Sequence, residues 1–344
     1  MQVLPITRRL MRPRMDGLTA ISFIFRFIVL YLGTTVLVSY TLQKLGYNVD
    51  WWVYLALFLA VLLMDKICSV SAKAIEVYLE SKGFSFEVDN RYFFMYIIWT
   101  SILYLTLLLT PIHEMPYMVY FMIAPAIWFI VRAFRENVQF SLGFIKWVIA
   151  ALSLFLTLYF FPYVAFFVPI VLLVVCWLFL RHIRFYRYMI LALLIAMLFI
   201  VIQLLGVGVT PWTLQLLGVT AFYEMYLWSG LEELFARACI PLLGVGLSSY
   251  IFAILHVPKT LYSVATLSNL YMVIYMSIII ISIIATINML LVMAYKESGI
   301  VGSWLTHTIY NTVVVLTIIY GVNFAIAIAI TIFILGYILK RVES

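Results

Sequence analysis

Long runs of apolar residues follow one another along almost the whole chain, with short polar segments between them. A run of about 20 apolar residues spans a bilayer as a helix, because a helix satisfies its own backbone N–H and C=O groups. The pattern predicts an all-α fold, a polytopic transmembrane helical bundle of about 12 spans. The runs lie near residues 18–42, 51–64, 92–109, 117–131, 141–161, 163–180, 188–206, 212–240, 247–262, 270–295, 299–320 and 324–339.

Composition supports the membrane interpretation. Of the 344 residues, 67% are hydrophobic and 10% are charged, which a water-soluble domain of this length does not sustain. The net charge of +7 would suggest a nucleic-acid partner for a soluble protein, but here the basic residues lie between apolar runs. We therefore expect membrane lipids around the chain and no nucleic acid.

The basic residues alternate between connections, as the excess of Lys and Arg in cytoplasmic loops requires. With the N-terminus inside, the outer connections hold only Lys44 and Lys259. The alternation predicts a multi-pass protein of the cell membrane with both termini in the cytoplasm. The inner connections hold Lys66, Lys73, Lys82 and Arg91, then Arg132 and Arg135, then Arg181, Arg184 and Arg187, then Lys296, and finally Lys340 and Arg341.

Two irregular segments divide this pattern. Residues 65–91 mix acidic and basic side chains and are predicted to form a solvated cytoplasmic connection. Residues 206–212 contain two glycines and a proline that interrupt the apolar pattern. We therefore divide the chain into an N-terminal transmembrane helical region of unassigned role, 1–205, and a core that carries the unusual polar residues, 206–344.

Two adjacent carboxylates, Glu232 and Glu233, lie in an apolar run, although a charge without a partner is costly there. Arg237 follows Glu233 by four residues, so the two share a helix face and are expected to pair. Glu232 points about 100° away around the helix and has no local partner. A carboxylate so placed can act as a general base. The alternative is that all three side chains form one structural ion network.

His256 lies at the end of a short apolar helix, just before Pro258. Alone, it would more often be a packed histidine than a catalytic one. If the chain reverses near Gly244–Gly246, Glu232 lies roughly 18 Å and His256 roughly 15 Å from the turn, at 1.5 Å per helical residue. The hairpin therefore places both side chains at similar depth.

His307 and Asn311 are four residues apart and so lie on one face of the next-to-last span. If that helix begins near Gly299 on the cytoplasmic side, His307 lies roughly 12 Å inside the membrane, again at a similar depth. Three helices could therefore converge on one polar chamber. Asn311 could instead be a hydrogen-bonding residue of helix packing, the usual role of an isolated Asn in a membrane.

These residues form three ordered motifs, each in an apolar helix. They are EExxxR at Glu232, Glu233 and Arg237, FxxxH at Phe252 and His256, and HxxxN at His307 and Asn311. The set resembles the CAAX-protease and bacteriocin-processing (CPBP, or Abi) family, which includes the type II CAAX prenyl endopeptidase. The resemblance covers about residues 220–320. It departs from many members at Ala238, where they have Gly.

The resemblance implies an all-helical intramembrane peptidase whose chamber opens toward the cytosol. By analogy, Glu232 would activate water with help from His256, while His307 and Asn311 would stabilise the oxyanion. Glu233, Arg237 and Phe252 would support them. Peptide hydrolysis needs such a base and such donors.

A zinc ion is the one cofactor that these residues suggest. Glu232, His256 and His307 could hold it with an open position for water, as catalytic zinc sites do. We favour metal-independent catalysis by the glutamate. The expected substrates are lipidated or hydrophobic peptides, or the juxtamembrane stretch of another membrane protein.

Two other classes of function remain open. A transporter could use buried Glu, Arg and His residues as an ion relay, but the chain shows no inverted repeat. A membrane scaffold or immunity protein could keep the fold without turnover, but the complete motif set favours an enzyme.

Overall fold

Every element among the described residues is helical in a computed structural model of the chain. The described residues are 23–24, 26–83, 138–161, 191–197 and 269–343, most of 226–264 in short pieces, and a few residues between 101 and 131 and at 201. The elements are a π-helix (Arg26–Gly33), α1 (Thr34–Lys44), α2 (Trp51–Glu80), α3 (Val138–Phe160), α4 (Val257–Val264), α5 (Leu270–Tyr320) and α6 (Val322–Glu343).

Within the part of the chain that the structure describes, three helical stretches are long and apolar enough to cross a membrane: Phe27–Lys44, Trp51–Glu80 and Leu270–Thr317. They indicate a membrane protein and confirm the all-α class for the described part of the chain. The count of about twelve spans stays a prediction. The boundary at 206–212 and most of the predicted spans 92–109, 117–131, 163–180, 188–206 and 212–240 lie outside the described residues.

Helix α2 has one apolar face toward the surface and one toward the bundle. The exposed side chains recur every three or four residues, which is the spacing of one helix face. They are Leu55, Leu59, Leu63, Ile67 and Val70. The buried side chains of the opposite face are Val53, Leu57, Val61, Cys68 and Ala72. An exposed apolar face of this length is suited to lipid rather than to water.

Helix α2 continues through the first part of the predicted connection 65–91, as far as Glu80. Asp65, which suggested the end of the span, lies on the buried face of α2. Its Oδ2 accepts a hydrogen bond of 2.6 Å from the hydroxyl of Tyr31. A carboxylate partnered in this way does not have to end an apolar helix.

Helix α5 folds back on itself at Gly299, whose φ of 72° and ψ of −173° are not helical. In a straight helix, Leu291 and Ser303 would be about 18 Å apart. Instead, Ser303 Oγ lies 3.1 Å from the carbonyl oxygen of Leu291. Positive φ is easily adopted only by glycine, so Gly299 permits the reversal. The predicted start of a separate segment near Gly299 is therefore confirmed.

A tryptophan of α3 fits closely against the segment that carries the two carboxylates. A Cβ added to Gly230 would lie 2.7 Å from Cζ2 of Trp147, so only glycine leaves room for the ring. Trp147 also meets Trp304 edge to face, with ring centroids 6.0 Å apart. The indole of Trp304 donates a hydrogen bond of 3.1 Å to the carbonyl oxygen of Tyr226. These contacts join α3 and α5 to the glutamate segment.

Candidate active site

Glu233 and Arg237 form the ion pair that their spacing predicts. Arg237 Nε lies 2.9 Å from Glu233 Oε2, and Arg237 Nη2 lies 3.3 Å from Oε1. Both residues are completely buried. A buried charge is tolerated when its partner and its hydrogen bonds are in place. The pair is therefore a structural element of this part of the bundle.

Side chains from the part of α5 that follows Gly299, which we call its second limb, complete the hydrogen bonds of Glu233. The hydroxyl of Ser303 donates to Oε2. His307 Nδ1 lies 3.0 Å from Oε1. With the two contacts from Arg237, each oxygen of Glu233 accepts two donors. Glu233 is therefore saturated and has no oxygen left for a reacting molecule.

Arg237 also bonds to the first limb of α5, the part that precedes Gly299. Its Nη2 donates a hydrogen bond of 2.8 Å to Asn288 Oδ1. Asn288 Nδ2 in turn donates to Ser249 Oγ at 3.0 Å. All three side chains are fully or nearly fully buried. The network joins the glutamate segment, the segment before His256 and both limbs of α5.

Glu232 faces the two histidines rather than the arginine. Its Oε1 lies 3.7 Å from His256 Nε2, and its Oε2 lies 3.8 Å from His307 Nε2. The structure therefore brings these three predicted residues together from three chain segments. Both distances exceed the usual range of a direct hydrogen bond. Glu232, whose side chain is 13% exposed, is thus adjacent to both imidazoles without being bound tightly to either.

The ring of His256 is oriented by the backbone around it. The backbone N–H of His256 bonds to the carbonyl of Ala253, three residues back, at 3.0 Å. This leaves the carbonyl oxygen of Phe252 for the ring, whose Nδ1 lies 2.6 Å from it. Because a carbonyl can only accept, Nδ1 carries the proton and Nε2 is directed at Glu232. The helix is interrupted by a turn at His256. This interruption suits Pro258, which has no N–H to donate and lies in the first turn of α4.

The ring of His307 is oriented by Glu233 in the same sense. An ionised carboxylate can only accept, so His307 donates from Nδ1 and presents Nε2 to Glu232. The adjacent glutamates therefore contact opposite sides of one imidazole. Glu233 fixes the ring, and Glu232 lies on its reactive side.

The other two candidates border this group. Phe252 is buried, and its ring centroid lies 4.6 Å from that of His256 and 6.4 Å from that of His307. Asn311 is partly exposed and lies one helical turn beyond His307 on the same face. Among the described residues, no hydrogen bond joins Asn311 to Glu232, His256 or His307.

Sequence reasoning missed Asn288, Ser249 and Ser303 as members of the network. Asn288 was open to detection, because a lone amide in the apolar run 270–295 needs a hydrogen-bonding partner in a bilayer. The two serines carry no such signal, since a serine in a membrane helix commonly satisfies its hydroxyl on its own backbone.

The described residues include no group of three His, Cys, Asp or Glu side chains placed to hold a metal ion. Glu232 faces the two histidines with different oxygens, Oε1 toward His256 and Oε2 toward His307.

Comparison with family models, with curated proteins and with solved structures finds no match to this chain.

Proposed function

We propose that the chain is an intramembrane endopeptidase of the CPBP type, which hydrolyses a peptide bond near the cytosolic surface with water activated by Glu232. The observation that carries the proposal is the position of the Glu232 carboxylate between Nε2 of His256 and Nε2 of His307, at 3.7 and 3.8 Å. A general base needs a nearby group that orients it and donors where negative charge develops. The motif resemblance supplies the reaction class.

In the proposed reaction, a water molecule beside Glu232 loses a proton to the carboxylate as its oxygen attacks the peptide carbonyl carbon. His256 orients this water and the carboxylate. The negative charge on the carbonyl oxygen is stabilised by the Nε2–H of protonated His307, with the amide of Asn311 as the second donor. The C–N bond then breaks, and the proton on Glu232 passes to the leaving nitrogen. The products are a carboxylic acid and an amine.

The proposed substrate reaches the site from the membrane. Glu232, His256 and His307 are only slightly exposed and belong to a protein with apolar, membrane-spanning helices. A lipidated or apolar peptide, or a juxtamembrane segment, partitions to this depth, with about 0.8 kcal/mol gained per buried CH₂ group. Because apolar contact then supplies most of the affinity, we expect loose sequence specificity.

We further propose a multi-pass topology of about 12 spans, with both termini in the cytoplasm. The alternation of basic connections supports it. Cysteines introduced singly at 111–116 and 206–211 in intact cells should react with an impermeant maleimide, because both connections are assigned to the outside. Protection of either position, when it reacts after permeabilisation, would contradict the topology.

The peptidase proposal is tested with protein purified in detergent and incubated with a prenylated CAAX peptide and a library of apolar peptides. Products are identified by mass spectrometry. We expect the wild type to cleave, and Glu232→Ala and His256→Ala to lose the activity. Glu80→Gln is the matched control, because Glu80 is an exposed carboxylate at the end of α2. It should cleave as the wild type does.

The same assay separates the alternatives. Cleavage that is indifferent to chelator favours metal-independent catalysis with Glu232 as the base, and cleavage that chelator abolishes and zinc restores assigns a metal to the site. Undiminished cleavage by both variants would eliminate the site. A folded wild type that cleaves no substrate would favour a scaffold or immunity protein, or an ion-coupled transporter.

A further inference from the structure

The helical segment that leads to His256 rests on an N-terminal helix. Gly246 lies in this segment, and a Cβ added to it would lie 3.3 Å from Cβ of Ala72 and 3.7 Å from Cα of Ser69. Both residues belong to α2. The backbone of the segment therefore packs against the surface of α2 at a distance that only a glycine allows without displacement.

A side chain of α2 also holds the backbone of this segment. The N–H of Val245, which is completely buried, donates a hydrogen bond of 3.1 Å to Glu76 Oε1. A carboxylate that accepts a hydrogen bond from a buried backbone N–H satisfies that group and fixes the backbone at that point. Here the acceptor lies on another helix, 169 residues away in the sequence.

A third contact fixes the rotation of the segment about its axis. Tyr250 is buried, and its hydroxyl donates to the carbonyl oxygen of Leu30 at 3.3 Å. Its ring meets that of Tyr31 edge to face, with centroids 6.5 Å apart. Leu30 and Tyr31 belong to the π-helix, a form that is frequent at functional sites. Contacts at both 245–246 and 250 define the direction of the segment as it approaches His256.

We infer that α2 positions His256, and that Glu76 is the residue through which it acts. The position of His256 Nε2 relative to Glu232 depends on where the segment that contains Val245 and Gly246 is anchored. Three of the contacts that anchor it come from the region 1–205, to which the sequence assigned no role. Glu76 does not touch the reacting atoms, so it is a positioning residue. The catalytic consequence rests on the proposed peptidase function, whereas the placement of the histidine does not.

The direct test measures the reactivity of His256, which does not require enzymatic activity. The full-length protein in detergent is treated with diethyl pyrocarbonate, and the modification rates of His256 and His307 are followed by mass spectrometry. In Glu76→Ala, the released segment should expose the ring of His256. The rate at which diethyl pyrocarbonate modifies this ring should rise about fivefold. His307 is held by Glu233 on another helix, so its rate is the internal reference.

Two variants of the same helix serve as controls. Glu80→Ala removes an exposed carboxylate one turn further along α2 and should leave the rate of His256 unchanged. Glu76→Gln keeps an oxygen that can accept from the N–H of Val245, so it should restore most of the wild-type behaviour. A purely electrostatic effect of Glu76 would instead make the Gln variant resemble the Ala variant, which would contradict the role of this hydrogen bond.

A second pair of variants tests the packing contact without touching Glu76. Gly246→Ala introduces a methyl group against Ala72 and should raise the rate of His256 as Glu76→Ala does. The double variant Ala72→Gly with Gly246→Ala moves the methyl group to the other side of the contact and should bring the rate back toward the wild-type value.

Cleavage assays then give the catalytic consequence. Glu76→Ala should lower kcat about tenfold and leave KM within about twofold, because displacing His256, which orients the water and the base, changes the chemical step more than substrate binding. Equal rates of His256 modification in wild type, Glu76→Ala and Gly246→Ala would overturn the inference. If those rates differ as expected but no protein cleaves any peptide, the peptidase proposal fails and the positioning of His256 by α2 stands.

Discussion

Replacement of Arg237 by alanine should lower the free energy of unfolding by about 3–5 kcal/mol, because it leaves the carboxylate of Glu233 buried without its main partner. Asn288 Oδ1 also loses the hydrogen bond that it accepts from Arg237. Both residues of the pair are completely buried, so neither can turn to water. The measurement is the apparent Tm in detergent, together with the fraction of protein that elutes as a single species in size-exclusion chromatography.

Two controls separate charge burial from loss of volume. The double variant Glu233→Gln with Arg237→Met removes both charges and keeps nearly the same shape, so it should recover about 1–2 kcal/mol of the loss. Glu232→Gln should leave the apparent Tm nearly unchanged, because Glu232 makes no direct hydrogen bond to the histidines that it faces. Equal destabilisation by Glu232→Gln and Arg237→Ala would contradict this division of roles.

The central part of the site could be predicted from the sequence because it depends on spacing along single helices. Spacing of four residues on a helix predicted the pairing of Glu233 with Arg237. The rise per residue predicted that Glu232, His256 and His307 lie at similar depth, and the structure places each histidine within 4 Å of Glu232. The end of one apolar run at 295 and the start of the next at 299 predicted the separate segment that follows the reversal at Gly299.

The remainder depends on contacts between residues far apart in the sequence. Asp65 looked like the end of a span because hydropathy treats each charge alone, whereas Tyr31 of another helix partners it. Similarly, nothing local to Asn288 indicates that it connects Arg237 to Ser249. The support that Glu76 gives to the backbone of Val245 crosses the predicted domain boundary. Apolar periodicity identifies helices but does not specify which helices are neighbours.

Adjacent glutamates acquire different properties here because a helix turns about 100° per residue. Glu233 points toward Arg237, Ser303 and His307 and is saturated by four donors. Glu232 points toward the imidazole nitrogens that the surrounding structure directs at it. Glu233 therefore stabilises the bundle, and Glu232, which makes no direct hydrogen bond to either histidine, is the carboxylate to which we assign the role of base.

This difference leads to the prediction with the largest expected effect on activity. Glu232→Gln should reduce the rate of peptide hydrolysis by about 10²–10⁴, the usual contribution of a general base, while the protein stays folded. Glutamine matches glutamate in shape, and its amide can donate to an imidazole nitrogen, but it cannot take a proton from water. The measurement is kcat/KM for the best peptide found for the wild type, with the apparent Tm measured on the same preparation.

Glu232→Asp provides the graded control, since it keeps the carboxylate and withdraws it by one methylene group. Its rate should lie between those of the wild type and Glu232→Gln, because the base is retained but displaced from the two Nε2 atoms. An Asp variant as inactive as the Gln variant would mean that placement dominates over basicity. A Gln variant that is folded and retains more than about a tenth of the wild-type rate would show that Glu232 is not the base, since such a loss is smaller than a general base contributes.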